Sequence, residues 1–201
     1  SVYQDKKHMR SVLDVILNQS YTKFGMEKGK GRSYEAILTV KSIAIAQKYY
    51  ELLNEIKQEN DELKICEKVK KALPDFPKFA ITYSVSENEE ASKVNQDKMQ
   101  KSLDDYNQMF GTSYKVEGIS AYNANRLARK EKRYLERSQQ LDIVIVVNRL
   151  LTGFDAPCLS TIFIDRQPMK PQEIIQAFSR TNRLFDDTKQ YGQVVTFQSP
   201  D

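Results

Sequence analysis

Residues 143–147 constrain the fold of this chain more than any other segment. They read Ile-Val-Ile-Val-Val, five consecutive β-branched residues with no polar residue between them. A strand with one face in water alternates apolar and polar side chains, whereas an unbroken apolar run indicates that both faces are buried. Such strands lie in the centre of parallel sheets that helices cover, so the run predicts an α/β domain.

The rest of the chain alternates between strand-like and helix-like periods, as this class requires. Ser42 is placed to cap a helix whose apolar stripe includes Tyr49 and Leu53. Further helices are predicted near 61–73, 91–110 and 125–138. Further strands are predicted at 35–40, 79–84, 114–119, 161–165 and 193–197. The sequence therefore predicts three layers around a mostly parallel central sheet, with right-handed crossovers.

The first 33 residues are predicted to be a helical appendage with a linker. A helix near 5–24 has an apolar stripe. Residues 25–32 then contain three glycines and three cations. The phosphate-loop pattern GxxxxGK[ST] is absent and no strand precedes these glycines, which favours a flexible linker over a phosphate-binding loop. We place the boundary between residues 33 and 34, so that the main domain is 34–201.

The inventory of reactive side chains excludes several kinds of site. Two distant cysteines, Cys66 and Cys158, and the single histidine, His8, are too few for a Cys/His zinc site. We expect no metal site and no disulfide, as in a reducing compartment. A Ser-His-Asp triad would have to use His8 near the chain end, so we interpret His8 as a solvated helix residue.

Composition limits which compartment and which partners the chain can have. No stretch approaches the roughly 20 apolar residues that span a bilayer, so we predict a cytoplasmic protein without a membrane partner. The chain begins at Ser1 without an initiator Met, and we expect a fragment of a longer protein. The net charge of +4 favours polyanions only mildly and does not by itself establish a nucleic-acid partner.

The segment after the 143–147 strand carries polar groups suited to a ligand. Ligands of open α/β sheets bind beyond the carboxyl ends of the strands, which is where this segment starts. Gly153 lets the backbone approach a ligand, and Asp155 can accept a hydrogen bond from a ribose hydroxyl. Alone, this is a weak signal, because Gly-x-Asp turns are common and usually have no other role.

A second polar cluster lies further along the chain. Arg180 and Arg183 are three residues apart, and Gln176 precedes Arg180 by about one helical turn. Two guanidinium groups suit the charge on a transferring phosphoryl group. In isolation, two arginines that close a helix and interact with its dipole are the simpler interpretation.

Together, the two clusters resemble motifs V and VI of superfamily 2 helicases. Motif V follows a buried strand and ends in Gly-x-Asp, as residues 148–155 do. Motif VI reads Gln-x-x-Gly-Arg-x-x-Arg, as residues 176–183 do, with Ser179 in place of the usual Gly. The intervening strand ends in an acid, Asp165, which also fits. The sequences of residues 148–157 and 176–183 resemble those of the restriction (R) subunit of type I restriction–modification enzymes. The resemblance covers residues 34–197.

This resemblance implies a fold and a set of roles. The chain would be the second, C-terminal RecA-like motor domain of an enzyme that uses ATP to translocate duplex DNA before cleaving it. The implied roles are catalytic fingers on the γ-phosphate at Arg180 and Arg183, nucleotide contacts at Gly153, Asp155 and Gln176, and DNA contacts at Asn148, Arg149 and Thr152.

The resemblance also implies partners. The sequence contains no Walker A motif, no DEAD-type box and no recognisable nuclease centre. In the family these lie on the first RecA-like domain and on the nuclease domain of the same subunit, so ATP and Mg²⁺ are expected mainly on the first motor domain. This chain alone is therefore predicted to be inactive. Double-stranded DNA and the methyltransferase and specificity subunits are the other partners implied.

Two other functions stay open at this point. One is another superfamily 2 helicase or translocase, of the repair or type III restriction kind. The other is a non-catalytic module that binds nucleotide or nucleic acid. The predicted basic helix 125–138 is open as well, because its six cations fit either a phosphate contact or a solvated face.

Overall fold

A parallel five-stranded sheet organises the described part of the chain. The computed structural model describes residues 2–82, 93–127, 136–147, 158–166, 172 and 192–197. The strands are β1 (Glu35–Val40), β2 (Phe79–Ile81), β3 (Ile143–Val147), β4 (Leu159–Asp165) and β5 (Gln193–Thr196). Their order is β2-β3-β1-β4-β5, and every pairing is parallel. The predicted α/β class with a mostly parallel sheet is confirmed, and it is consistent with a RecA-like domain.

The centre of the sheet is buried, as the apolar run predicts. Every residue of β1, β3 and β4 is buried, whereas β5 is only partly covered. β1 lies between β3 and β4, with Val40 in register with both Val147 and Asp165. The carboxyl ends of these three strands therefore meet at one edge.

Five helices flank this sheet in the described residues. They are α1 (Val2–Asn18), α2 (Ile43–Lys57), α3 (Glu67–Ala72), α4 (Lys93–Phe110) and α5 (Ile119–Leu127). The predicted cap of α2 is confirmed, because the Ser42 hydroxyl accepts a hydrogen bond from Ile45 N at 3.2 Å. The described residues include no helix that is long and apolar enough to cross a membrane.

The sequence prediction is wrong for the strand at 114–119. Residues Val116–Gly118 form a 3₁₀ turn, and Ile119 begins α5. Ile119 and Tyr122 are both buried at a helical spacing of three residues. The Asn107 side chain bonds both the N–H and the carbonyl of Tyr114, at 2.9 Å each, which occupies backbone groups that a neighbouring strand would otherwise pair.

The helix predicted at 61–73 is shorter in the structure, where α3 covers only Glu67–Ala72. Asp61 accepts a hydrogen bond from Leu63 N at 2.9 Å and holds the Arg10 guanidinium through two donors at 2.8 and 3.0 Å. The bond to Arg10 holds the pKa of Asp61 below its usual range. A side chain that bonds its own neighbouring backbone in this way competes with helix formation.

The predicted apolar stripe of α1 packs into the same core as the sheet. Its members are Met9, Val12, Leu13, Ile16 and Leu17, all buried. Phe24 and Met26, in the turn that follows, are buried there as well. Gly25, with φ +71°, has room for no side chain, because a Cβ would lie 2.6 Å from the Tyr34 ring. The domain boundary at 33/34 stays a prediction.

Candidate functional site

The residues that the sequence assigns to nucleotide and DNA lie outside the described residues. They are Asn148, Arg149, Thr152, Gly153, Asp155, Gln176, Arg180 and Arg183. The structure does describe the strands that precede them: β3 ends at Val147, and β4 ends at Asp165. The candidate site is therefore built here from the carboxyl edge of the sheet, and the roles of the eight residues stay predictions.

A cavity of about 260 Å³ opens at this edge. Its walls come from α1, from the first turns of α2, from the residue after β1 and from the end of β4. Its charged and polar lining residues are Asp5, His8, Lys41, Lys48, Asp165 and Arg166. The crevice beyond the carboxyl ends of parallel strands is where ligands bind in open α/β sheets, so the place alone makes this cavity a candidate.

The Asp165 carboxylate is the centre of the polar groups in the cavity wall. Its side chain is 7% exposed, and its Oδ1 lies 2.8 Å from His8 Nε2. Its Oδ2 accepts a hydrogen bond from the Tyr49 hydroxyl of α2. Burial raises the pKa of Tyr49, and the neighbouring Asp165 raises it further, so this hydroxyl stays protonated and donates. A carboxylate with both oxygens engaged is a fixed acceptor rather than a free base.

Two lysines contribute positive charge to the cavity, beside the exposed carboxylate of Asp5. Lys41 follows β1 and Lys48 lies on α2, and both are exposed. Neither forms an ion pair with any of the residues that the structure describes. Cations at such an edge suit the oxygens of phosphate groups. Over the same described ranges, no cluster of three or more His, Cys, Asp or Glu side chains could hold a metal ion.

The structure corrects the interpretation of His8. The sequence predicts a solvated helix residue, but the His8 side chain is only 20% exposed and bonds Asp165. One signal in the sequence indicated partial burial, since His8 precedes the buried Val12 by four residues on α1. No local signal indicated the partner, which is 157 residues away.

The structure also corrects the role of Arg137, the last cation of the predicted basic helix. Arg137 lies in a 3₁₀ turn, Arg137–Gln139, and its Nη1 lies 2.6 Å from an oxygen of the buried Asp142. Its Nη2 lies 2.8 Å from Asp75. Burial lowers the pKa of Arg137, but the two carboxylates outweigh it and raise that pKa above its usual value. Both interpretations of the helix, a phosphate contact or a solvated face, are therefore wrong for Arg137.

Most of the predicted basic helix 125–138 lies outside the described residues, so the structure does not test its two interpretations there. The described part of α5 ends at Leu127, and residues 128–135 lie outside the described residues. Arg129, Lys130, Lys132 and Arg133 are among them. Whether they contact DNA stays a prediction.

Comparisons with known proteins agree on one family. Residues 32–199 match the family model described as type I restriction enzyme subunit R domain 3. The chain is 30% identical over 172 residues to the SauMRSORF196P type I restriction enzyme endonuclease subunit of Staphylococcus aureus strain MRSA252, and this covers 84% of the chain and 17% of that relative.

Two further relatives have similar names. The SsaAORF53P type I endonuclease subunit of Staphylococcus saprophyticus is 32% identical over 176 residues, again 84% of this chain and 17% of the relative. The HindI type I endonuclease subunit of Haemophilus influenzae is 46% identical over 55 residues, which are 27% of this chain and 5% of the relative. The chain therefore spans about a sixth of the length of the first two relatives.

Proposed function

The chain belongs to the type I restriction enzyme R subunits, matching their domain 3, and from this premise we propose that it is the second RecA-like motor domain of such a subunit. In the intact subunit it would contribute half of an ATP site and part of the DNA track. ATP hydrolysis there would drive translocation of duplex DNA before cleavage. Because all the named relatives are type I subunits, we set aside a repair helicase or a type III subunit.

One observation carries this proposal: β3 and β4 both pair with β1 and run parallel to it. In the sequence, the segment that resembles motif V follows β3 directly, and the segment that resembles motif VI follows β4. Both segments therefore leave the sheet from strands that end at the same edge. That arrangement supports a shared site, since a motor domain needs its nucleotide and DNA groups on one side of the sheet.

The proposed chemistry is positioning and electrostatic stabilisation. Phosphoryl transfer leaves little covalent work for the protein, and catalysis depends on groups that neutralise charge in the transition state. The guanidinium groups of Arg180 and Arg183 would stabilise the γ-phosphoryl group from across the interdomain cleft. Gly153, Asp155 and Gln176 would contact the nucleotide, and Asn148, Arg149 and Thr152 would contact DNA.

Mg²⁺, when bound, would neutralise charge on the nucleotide phosphates. The described residues of this chain offer no matching cluster of metal ligands, so they do not fit as its binding site, and we derive no step through it. We place the phosphate cradle and the metal ligands on the first motor domain.

The proposed partners follow from the same assignment. Duplex DNA would cross the carboxyl edge, and the first RecA-like domain would close the ATP cleft. The nuclease domain of the subunit and the methyltransferase and specificity subunits would complete the enzyme. A non-catalytic binding module is the alternative, and it predicts no dependence of ATP turnover on the two arginines.

The test is substitution of Arg180 and Arg183 in the intact subunit. We expect each Ala variant to lower kcat of DNA-stimulated ATP hydrolysis by about 10³–10⁵-fold, with a smaller loss of nucleotide affinity, because arginine fingers act in the transition state. Lys should rescue poorly because it lacks the planar fork. Steady-state kinetics and nucleotide binding, measured on the same preparations, give both quantities.

Lys71→Ala is the matched control, because it also removes one cation, an exposed one at the end of α3. Its turnover should equal that of the unmodified subunit. Near-normal turnover in both arginine variants would contradict the motif VI assignment. An arginine that only closes a helix would instead cost about 1 kcal/mol of stability and leave turnover intact.

A further inference from the structure

Side chains from α1 and α2 meet the carboxyl group of Asp165 at the edge of the sheet. Asp165 is the last residue of β4, His8 lies on α1, and Tyr49 lies on α2. His8 Nε2 is 2.8 Å from one carboxylate oxygen, and the Tyr49 hydroxyl donates to the other. The His8 and Asp165 side chains are 20% and 7% exposed, so water has little access to this contact.

Other contacts also hold α1 in place. The apolar face of α1 is anchored in the core by side chains with at most 1% exposure, such as Leu13 and Ile16. Arg10, on the same helix, is bound to Asp61 through three hydrogen bonds from two of its nitrogens. A single buried polar pair adds little net stability beyond such anchors, but it fixes the geometry of the groups it joins.

The contact between His8 and Asp165 fixes the point at which the chain leaves β4. Asp165 is in register with Val40 of the central strand, and the next residue, Arg166, is the last one described before residue 172. In the sequence, the segment that begins there leads to Gln176, Arg180 and Arg183. A displacement of about 1 Å in a supporting group can lower the rate of a reaction by about a hundredfold.

We propose that His8 is a positioning residue: together with Tyr49 it holds the Asp165 carboxylate, and thereby sets the direction in which the chain leaves β4 toward the two arginines. The inference rests on the proposed function, because it needs Arg180 and Arg183 to act on ATP. His8 touches neither substrate nor DNA in this role. The helix α1, which precedes the residues matched by the family model, thus becomes part of the motor domain's working geometry.

His8 has a role because the Asp165 carboxylate needs a hydrogen-bond donor for each of its two oxygens. Tyr49 stays a donor because burial and Asp165 raise its pKa. If His8 is removed, one oxygen of a buried carboxylate loses its donor, and the carboxylate is then free to turn toward other groups. The cavity offers Lys41 and Lys48 for that purpose, so a turned carboxylate would pull the end of β4 away from its present position.

The experiment compares His8→Ala with His8→Gln in the intact subunit, assembled with its partner subunits. Gln keeps an N–H donor at a similar reach, whereas Ala has none. We expect His8→Ala to lower kcat of DNA-stimulated ATP hydrolysis by about ten- to a hundredfold, with KM for ATP changed by less than about threefold. His8→Gln should restore most of the loss.

Lys6→Ala is the matched control on the same helix. It removes a half-exposed ion pair with Glu55 at 3.5 Å and does not touch Asp165. Its kcat should be unchanged. Tyr49→Phe removes only the second donor and keeps the ring in the core, so it should lower kcat in the same direction and provides a second test if His8→Ala fails to fold.

Two results would overturn the inference. One is a lowered melting temperature of His8→Ala or Tyr49→Phe with normal kcat per folded molecule. The other is a raised KM with unchanged kcat, which would mean that His8 binds the substrate directly. Arg180→Ala and Arg183→Ala, measured in parallel, separate the two proposals. If both also keep normal turnover, the proposed function fails, and if only the His8 and Tyr49 variants do, the positioning role alone fails.

Discussion

At the scale of single residues, Asp142 is a buried carboxylate with several hydrogen-bond partners. Its side chain has no exposure, and it accepts hydrogen bonds from Arg137, from Ser33 and from Lys78 N. Its backbone also bonds Ala36 N and the Lys78 carbonyl, both at 2.8 Å. One residue therefore joins the amino ends of β1, β2 and β3. A buried carboxylate is tolerable only with such partners.

Removing the cation of this network should be costly. Arg137→Ala leaves Asp142 buried without its charged partner, and we expect the free energy of unfolding to fall by about 3–5 kcal/mol. Chemical denaturation of the chain measures this. Because Asn needs no charge partner, combining Asp142→Asn with Arg137→Ala should cost less than the sum of the two single changes.

The control for this prediction is an ion pair on the surface. Lys6→Ala, which breaks the half-exposed pair with Glu55, should change stability by at most about 1 kcal/mol. An Arg137→Ala variant as stable as Lys6→Ala would contradict the view that Arg137 compensates a buried charge. Arg137 would then contribute no more to stability than a cation on the surface.

Among the elements, the basic segment 128–135, which follows α5, has a function that stays a prediction. Arg137 is excluded from it by its bonds to Asp142 and Asp75. Arg129, Lys130 and Arg133 stay as candidates for sequence-independent phosphate contacts, and a charged segment of this kind acts mainly through the release of counterions from DNA.

Neutralising these three cations together tests that role. The triple Gln variant should bind DNA more weakly, and the slope of log K against log salt should flatten by up to about three units if each cation meets one phosphate. Binding titrations at several salt concentrations measure the slope. The matched control neutralises Lys64, Lys68 and Lys71, which are exposed and give the same change of charge. Equal slopes in both triple variants would identify the segment as a solvated face.

At the scale of the whole molecule, the chain is one half of a proposed two-domain site. It spans only 17% of the length of the two Staphylococcus relatives, and the Walker A motif is absent from its sequence. The sheet, α1 and α2 nevertheless share one hydrophobic core. A folded but incomplete site is the expected consequence.

The isolated chain should therefore fold and show no ATP hydrolysis. The measurement is release of phosphate from Mg²⁺-ATP, with and without duplex DNA, on chain whose folding is checked by cooperative unfolding. The intact subunit serves as the positive control. Turnover that co-purifies with the isolated chain through successive columns would contradict the half-site proposal.

The sequence by itself determined the strands, the capped helix α2, the buried face of α1 and the family. These depend on periodicity and on short motifs, which act locally: the run 143–147 can be buried on both faces only in a covered sheet. The strand predicted at 114–119 failed because Asn107 occupies the backbone groups of Tyr114, a contact that no period encodes.

Only the tertiary structure decided which polar groups meet. His8 and Asp165 are 157 residues apart, and Ser33 and Asp142 are 109 apart. Periodicity indicates which face of an element is buried, because the apolar side chains of that face are driven out of water whatever they pack against. It does not indicate the partner of a buried polar group, because that partner is set by how distant elements pack against one another.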